Sequence, residues 1–207
     1  MTISKLEADQ LGNPNRIFGK LVGFLWNRRN AALNDTVLGL LALQPSDRVL
    51  DIGFGGGYLL NRMSAVVTAG LLAGVDISTT LVASAEKRYQ KAVRAGMLDL
   101  KCAAAEALPY PDSYFTKVCS VNSIFYWQNI QRGILEIKRV LALGGLVVLC
   151  FTCKASLEKK GFAKNIQLYE AVEIEHMLAG VGFQDIKTAS FSDRYRQYIC
   201  ITGKKSL

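Results

Sequence analysis

From residue 46 onward, short and almost wholly apolar runs alternate with longer amphipathic ones. The runs at 48–53, 71–76, 98–102, 116–121 and 146–151 predict strands, and 145–151, Gly-Leu-Val-Val-Leu-Cys-Phe, lacks polar alternation as a strand buried on both faces should. Between them, 58–68, 79–95 and 129–142 have helical spacing. Ser78 stands where an N-cap belongs, and Gly144-Gly145 is the expected stop of the third helix. Strand–helix alternation of this kind implies parallel strands with helices on both faces. The last quarter changes rhythm. A helix over 169–180, closed by Gly180 and Gly182, precedes strand-like runs at 183–191 and 195–202. Only Ser192-Asp193-Arg194 separates those two runs, too short a link for a parallel crossover, so they must be antiparallel neighbours. The expected fold is three-layer α/β: a seven-stranded, mostly parallel sheet with an antiparallel last strand.

Two segments lie outside this rhythm. Residues 1–44 form an expected helical cap ended by Pro45, with Ile17, Leu21, Phe24 and Leu25 recurring as an apolar stripe. Residues 152–168 are a Lys-rich stretch expected as an insertion or lid. Both are expected near the carboxyl edge of the sheet, where open α/β folds bind ligands, with 45–207 forming the ligand-binding domain.

Composition narrows the classes. The chain has 207 residues, 50% of them hydrophobic and 20% charged, enough for one ordinary core and too apolar for disorder. Its longest apolar run, 140–153, falls short of the roughly 18 residues a bilayer span needs. Lys5, Glu7, Asp9, Pro14 and Arg16 interrupt the start of the chain, so neither a signal peptide nor a transmembrane segment is expected and a cytoplasmic location is. The five cysteines are an odd set and read as thiols. Cys150 and Cys153 form a C-x-x-C without a second pair, and His176 is the only histidine, so no metal site is expected. The net charge of +8 is spread along the whole chain, which reads as solvated surface rather than a nucleic-acid arm.

The chemistry concentrates in 49–58, Val-Leu-Asp-Ile-Gly-Phe-Gly-Gly-Gly-Tyr. Gly53, Gly55 and Gly57 follow a strand that carries Asp51, and alternate glycines suit a sharp turn whose backbone touches a ligand. The dinucleotide fingerprint G-x-G-x-x-G would need a third glycine at position 58, which is Tyr58. Asp76 closes the next strand, in the place from which a carboxylate accepts hydrogen bonds from both ribose hydroxyls. A phosphate would avoid the negative charge of Asp51, whereas a nucleoside bearing an amino group and a sulfonium would be drawn to it.

These residues resemble the class I S-adenosylmethionine-dependent methyltransferases, which share a three-layer Rossmann-like fold. Within that class the chain is similar to the small-molecule group of the ubiquinone and menaquinone C-methyltransferases. The resemblance covers 46–151 and rests on four segments in order: 49–57, 75–78, 104–115 and 139–148. It implies that backbone groups of Gly53, Phe54 and Gly55, on the turn completed by Gly57, hold the methionine part of S-adenosylmethionine, with Asp51 near its amino end. It further implies that Asp76 binds the ribose, that Ile77 packs on the adenine, and that Ala105 and Glu106 contact the adenine amino group. The family's usual Asp before this Ala-Glu pair is Ala104 here, and its usual Asp after the Phe of the fourth strand is Thr116. By family position Ser120 and Asn122 lie near the methionine moiety.

Methyl transfer from a sulfonium is an in-line displacement with a neutral leaving group, S-adenosylhomocysteine, so alignment matters more than covalent catalysis. No catalytic residue is assigned. Phe125, Tyr126 and Trp127, in the loop after the fourth strand, are candidates for an apolar acceptor pocket; the alternative is that they pack the following helix. Asn122-Ser123-Ile124 lacks the Pro-Pro-aromatic signature of base-nitrogen methylation, and Cys119 lies inside an apolar strand, so nucleic acid is disfavoured as acceptor. The expected activity is methyl transfer to a small, apolar molecule. An RNA-directed methyltransferase, a non-catalytic S-adenosylmethionine-binding protein and a nicotinamide-dependent oxidoreductase are the alternatives.

Overall fold

The computed structural model describes residues 30–158 and 166–206. Seven strands form one sheet in the order β3-β2-β1-β4-β5-β7-β6. They are β1 (Arg48–Ile52), β2 (Leu71–Asp76), β3 (Leu98–Cys102), β4 (Phe115–Val121), β5 (Leu141–Thr152), β6 (Phe183–Ser192) and β7 (Gln197–Lys205). The pairs from β3 through β5 are parallel, while β7 runs antiparallel to both β5 and β6. The three-layer Rossmann-like fold with its antiparallel last strand is therefore present.

The helices are α1 (Ala31–Leu41), α2 (Tyr58–Met63), α3 (Thr79–Arg88), α4 (Gln90–Arg94), α5 (Ile130–Val140), α6 (Lys154–Glu158) and α7 (Ala171–Gly180). The central strands β1 and β2 are buried almost throughout because both faces are covered, whereas β3, at the edge, alternates buried Leu98 and Leu100 with the less buried Asp99 and Lys101; in every strand successive residues point to opposite sides. Leu50, Ile52, Val118, Val147 and Leu149 pack with Ile134 and Ile137 of α5 and with Ile174 and Leu178 of α7. Val49, Cys119, Val148 and Cys150 pack on the other face with Leu33, Val37 and Leu41 of α1 and with Leu59, Leu60 and Met63 of α2. Helix α1 thus belongs to an outer layer, and Thr36 shares a 2.9 Å hydrogen bond with Tyr198 of β7. The stripe Ile17, Leu21, Phe24 and Leu25, and residues 159–165 of the Lys-rich stretch, lie outside the described residues. Among the described residues no helix is long and apolar enough to cross a membrane.

Three local departures from the sequence pattern have physical causes. The helix expected over 79–95 breaks at Tyr89, whose φ of −103° and ψ of 23° leave the helical region while its hydroxyl donates to Gly57 O at 3.0 Å. The helix after position 129 ends at Val140, and β5 starts at once. Gly144, at φ 72°, lies in an irregularity where pairing with β4 skips from Leu141 to Leu146. The helix over 58–68 is confined to 58–63 and closes in turns, with Val66 N and Val67 N both donating to Met63 O at 2.9 Å.

Candidate functional site

Parallel pairing sets the ends of β1, β2, β3, β4 and β5 along one edge, and the turn after β1 lies in the middle of it. Gly53 N donates to Val75 O at 2.7 Å, which folds the turn back over the end of β2. Gly55 N then donates to Asp76 Oδ2 at 3.0 Å, while Ser78 N donates to Asp76 Oδ1 at 2.9 Å. One carboxylate therefore fixes both the glycine turn and the start of α3, which Ser78 Oγ caps by accepting from Leu81 N. Each carboxylate oxygen has a second acceptor position, so Asp76 retains capacity for two hydroxyl donors. Arg88 donates to Gly56 O at 2.8 Å, and together with Tyr89 on Gly57 O it braces the far end of the turn.

The alternate glycines serve different ends. Gly53 has φ 75°, and a Cβ there would lie 2.4 Å from Cβ of Ser123. Its bare face is filled by protein. Gly55 has φ 55°, and a Cβ there would meet nothing nearer than Gly53 O at 4.0 Å. Gly55 is the glycine that leaves open space for a ligand.

Asp51 is buried, with 2% exposure, and accepts from the Cys119 thiol at 3.9 Å. Burial, reinforced by the charge of Asp76 and opposed by that thiol bond, pushes its carboxyl up to about 7. Asp76 is raised as well, mainly by burial, against the pull of its two backbone donors. Two carboxyl groups resisting ionisation favour a cationic guest, because positive charge nearby restores both to their charged form. The residues present therefore fit a nucleoside with a sulfonium or ammonium group better than a pyrophosphate. Ile77, 54% exposed beside Asp76, offers the apolar face that a base would cover.

The other predicted residues are placed as follows. The Phe54 side chain is buried on the α2 face, leaving only its backbone at the turn. Ala105 is buried, and Glu106 accepts from Asn129 N at 2.9 Å, so its carboxylate supports the start of α5. Ser120 is fully buried and bonds Ser123 Oγ at 2.6 Å. The Asn122 side chain is turned to other partners. Its Oδ1 accepts from Thr152 N at 2.8 Å and Thr152 Oγ1 at 3.1 Å, and its Nδ2 donates to Asn30 Oδ1 at 3.1 Å. Phe125 and Trp127 are core residues, the first edge-on to Phe151 with centroids 6.2 Å apart and the second covering Gly133. Tyr126 alone of the three is partly exposed. Ser123, Arg88 and Tyr89 are the residues that sequence reasoning missed. Among the described residues no group of His, Cys, Asp and Glu could hold a metal ion.

The family model described as "Methyltransferase domain" matches residues 50–149, which span this whole site. An uncharacterized methyltransferase of Bacillus subtilis, YdaC, is 30% identical over 190 residues, covering 89% of this chain and 98% of its own. The rice 2-methyl-6-phytyl-1,4-hydroquinone methyltransferase 1 is 31% identical over 158 residues, 70% of this chain, and the match spans only 46% of that longer relative. A Haemonchus contortus phosphoethanolamine N-methyltransferase 2, solved in complex with S-adenosyl-L-methionine, superposes with a TM-score of 0.78 at 16% identity over 97% of this chain and 60% of its own, a likeness of fold. With a glycine turn that lacks the dinucleotide spacing, and with a relative matched over nearly its full length, the chain belongs to the class I S-adenosylmethionine-dependent methyltransferases.

Proposed function

We propose that this methyltransferase binds S-adenosylmethionine on the turn after β1 and transfers its methyl group to a small, apolar acceptor at the carboxyl edge, leaving S-adenosylhomocysteine. The observation that carries the reading is Asp76, which ties Gly55 N to Ser78 N and keeps one acceptor position on each oxygen for the two ribose hydroxyls. Asp51 meets the amino end of the cofactor with a carboxyl that burial holds back from ionising and that a cation beside it would return to its charged form. Ile77 covers one face of the base, and backbone at Ala105 bounds its edge. The cofactor supplies an electrophilic methyl group. The residues of the chain hold donor and acceptor in line and keep water from the reacting atoms.

The acceptor side supports a substrate that arrives already nucleophilic. The only histidine, His176, is exposed on α7, and burial pushes the Tyr126 phenol up to about 12, where it donates rather than removes a proton. An electron-rich ring carbon needs no strong base, and the hydroquinone named for the rice relative is of that class. The test is to offer methyl-labelled S-adenosylmethionine and the chain to fractionated cell extract. Label is expected in an apolar, low-molecular-weight fraction and should fall sharply, at cofactor concentrations below saturation, when Asp76 is replaced by Ala. Label confined to RNA, or cofactor binding without transfer to any fraction, would contradict the reading.

A further inference from the structure

The cofactor turn and the loop after β4 are joined through one side chain that no motif singled out. Ser123 Oγ donates to Ile52 O at 3.0 Å and accepts from Trp127 Nε1 at 3.2 Å. Because its single proton is committed to Ile52, Ser120 must be the donor in the 2.6 Å pair between the two serines. The hydroxyl is thereby saturated, with one bond given and two received. Ser123 also fills the space that a side chain at Gly53 would take, so the Ile52–Gly53 peptide is held by contact as well as by hydrogen bonding.

We propose that Ser123 is a positioning residue for methyl transfer: it locks the Ile52–Gly53 peptide of the cofactor turn to the loop after β4, where the partly exposed Tyr126 is the remaining candidate to meet an acceptor, so that turn and loop keep one alignment. This rests on the reading that S-adenosylmethionine lies on the glycine turn. Trp127, buried and bonded directly to Ser123, should then sense occupancy of the turn although it does not touch the ligand. In-line displacement depends on the relative placement of two reactants, and a shared anchor sets that placement without contacting either.

The chain contains two tryptophans, so W26F leaves Trp127 as the only one and makes its emission readable. In that background, S-adenosylhomocysteine binding is followed by calorimetry and by Trp127 fluorescence at a temperature well below unfolding. The parent is expected to bind with a change in emission. S123A should bind roughly tenfold more weakly, as expected for the loss of a buried hydrogen bond that leaves its partners unpaired, and should lose the emission response. S123C, which keeps the shape but bonds weakly, should fall between the two and serves alone if S123A does not fold. A merely structural serine predicts a lower melting temperature with unchanged affinity and emission response; that result overturns the proposal. A parent that does not bind S-adenosylhomocysteine overturns the cofactor reading, and this proposal falls with it.

Discussion

Asp76 and Gly55 are joined by a 3.0 Å hydrogen bond from the glycine N–H to Oδ2, so the residue assigned to the ribose also shapes the turn that precedes it. Under the proposed assignment, cofactor binding and turn geometry form one energetic unit. Asp76→Asn keeps one carbonyl acceptor but presents an amide NH2 to a backbone N–H. It is expected to lower the stability of the ligand-free protein by about 1–3 kcal/mol, the usual range for a buried group left without its partner. Chemical denaturation without cofactor checks this, and an unchanged midpoint would show that the bond is not holding the turn.

Asp51 gives a pH dependence whose sign is fixed. Its carboxyl is raised from 3.8 to about 7, first by burial and then by the charge of Asp76, with the Cys119 thiol acting in the opposite sense. Between those two values the folded state holds a proton that the unfolded state releases, so stability falls as pH rises from about 4 to about 7. Asp51→Asn carries no ionisable group and should lose that slope. Melting temperatures of both proteins across this range should diverge with increasing pH, the variant being the more stable at the upper end. Parallel curves would show that Asp51 is ionised throughout.

Gly53 and Gly55 should separate folding from binding. Gly53→Ala places a Cβ against Ser123 at a left-handed backbone position and is expected to cost about 3–5 kcal/mol from overpacking and φ strain together. Gly55→Ala meets open space and should cost only about 1–2 kcal/mol of backbone strain while still weakening the cofactor. Denaturant titration and S-adenosylhomocysteine binding, measured on both, check the split. Equal stability losses would contradict it.

Arg139 clamps the loop 103–114, which carries Ala105 and Glu106. Its guanidinium donates to Leu108 O at 2.9 Å, to Tyr110 O at 2.7 Å and to both oxygens of Glu136, while Glu136 accepts from Leu108 N. The Arg139 hydrogen bond is the main cause of the lowered pKa of Glu136. The stability it contributes is present above the ordinary carboxylate pKa of 4.5 and is lost as pH falls below it. Arg139→Lys keeps the charge but not the fork. It should increase proteolysis within 103–114 at neutral pH and reduce the acid sensitivity of the protein; an unaltered digestion pattern would remove the clamp from the account.

The sheet was legible because doubly covered strands leave uninterrupted apolar runs, as at 71–76, which is also the observed span of β2. The short hairpin link likewise foretold the reversed β7. What sequence could not supply were contacts between distant positions. Asn122 and Ser123 are adjacent and both polar, yet one bonds Asn30 and Thr152 while the other bonds Ile52 and Trp127. Asn122 sits at φ +53°, a left-handed position that Asn tolerates, but nothing local tells which distant partners the two side chains reach. Phe125 and Trp127 look like pocket walls in sequence, but Phe151 and Gly133, from β5 and α5, draw them into the core. The break at Tyr89 arises in the same way from Gly57, 32 positions earlier.

Calorimetric titration of S-adenosylhomocysteine into the wild-type chain and Asp76→Ala, at neutral pH, tests the placement of the cofactor most directly. Saturable one-site binding by the wild type is predicted, with affinity at least about tenfold weaker in the variant because charge-assisted hydrogen bonds to the ribose are lost. Equal affinity in the two proteins, or no binding by the wild type, would contradict it.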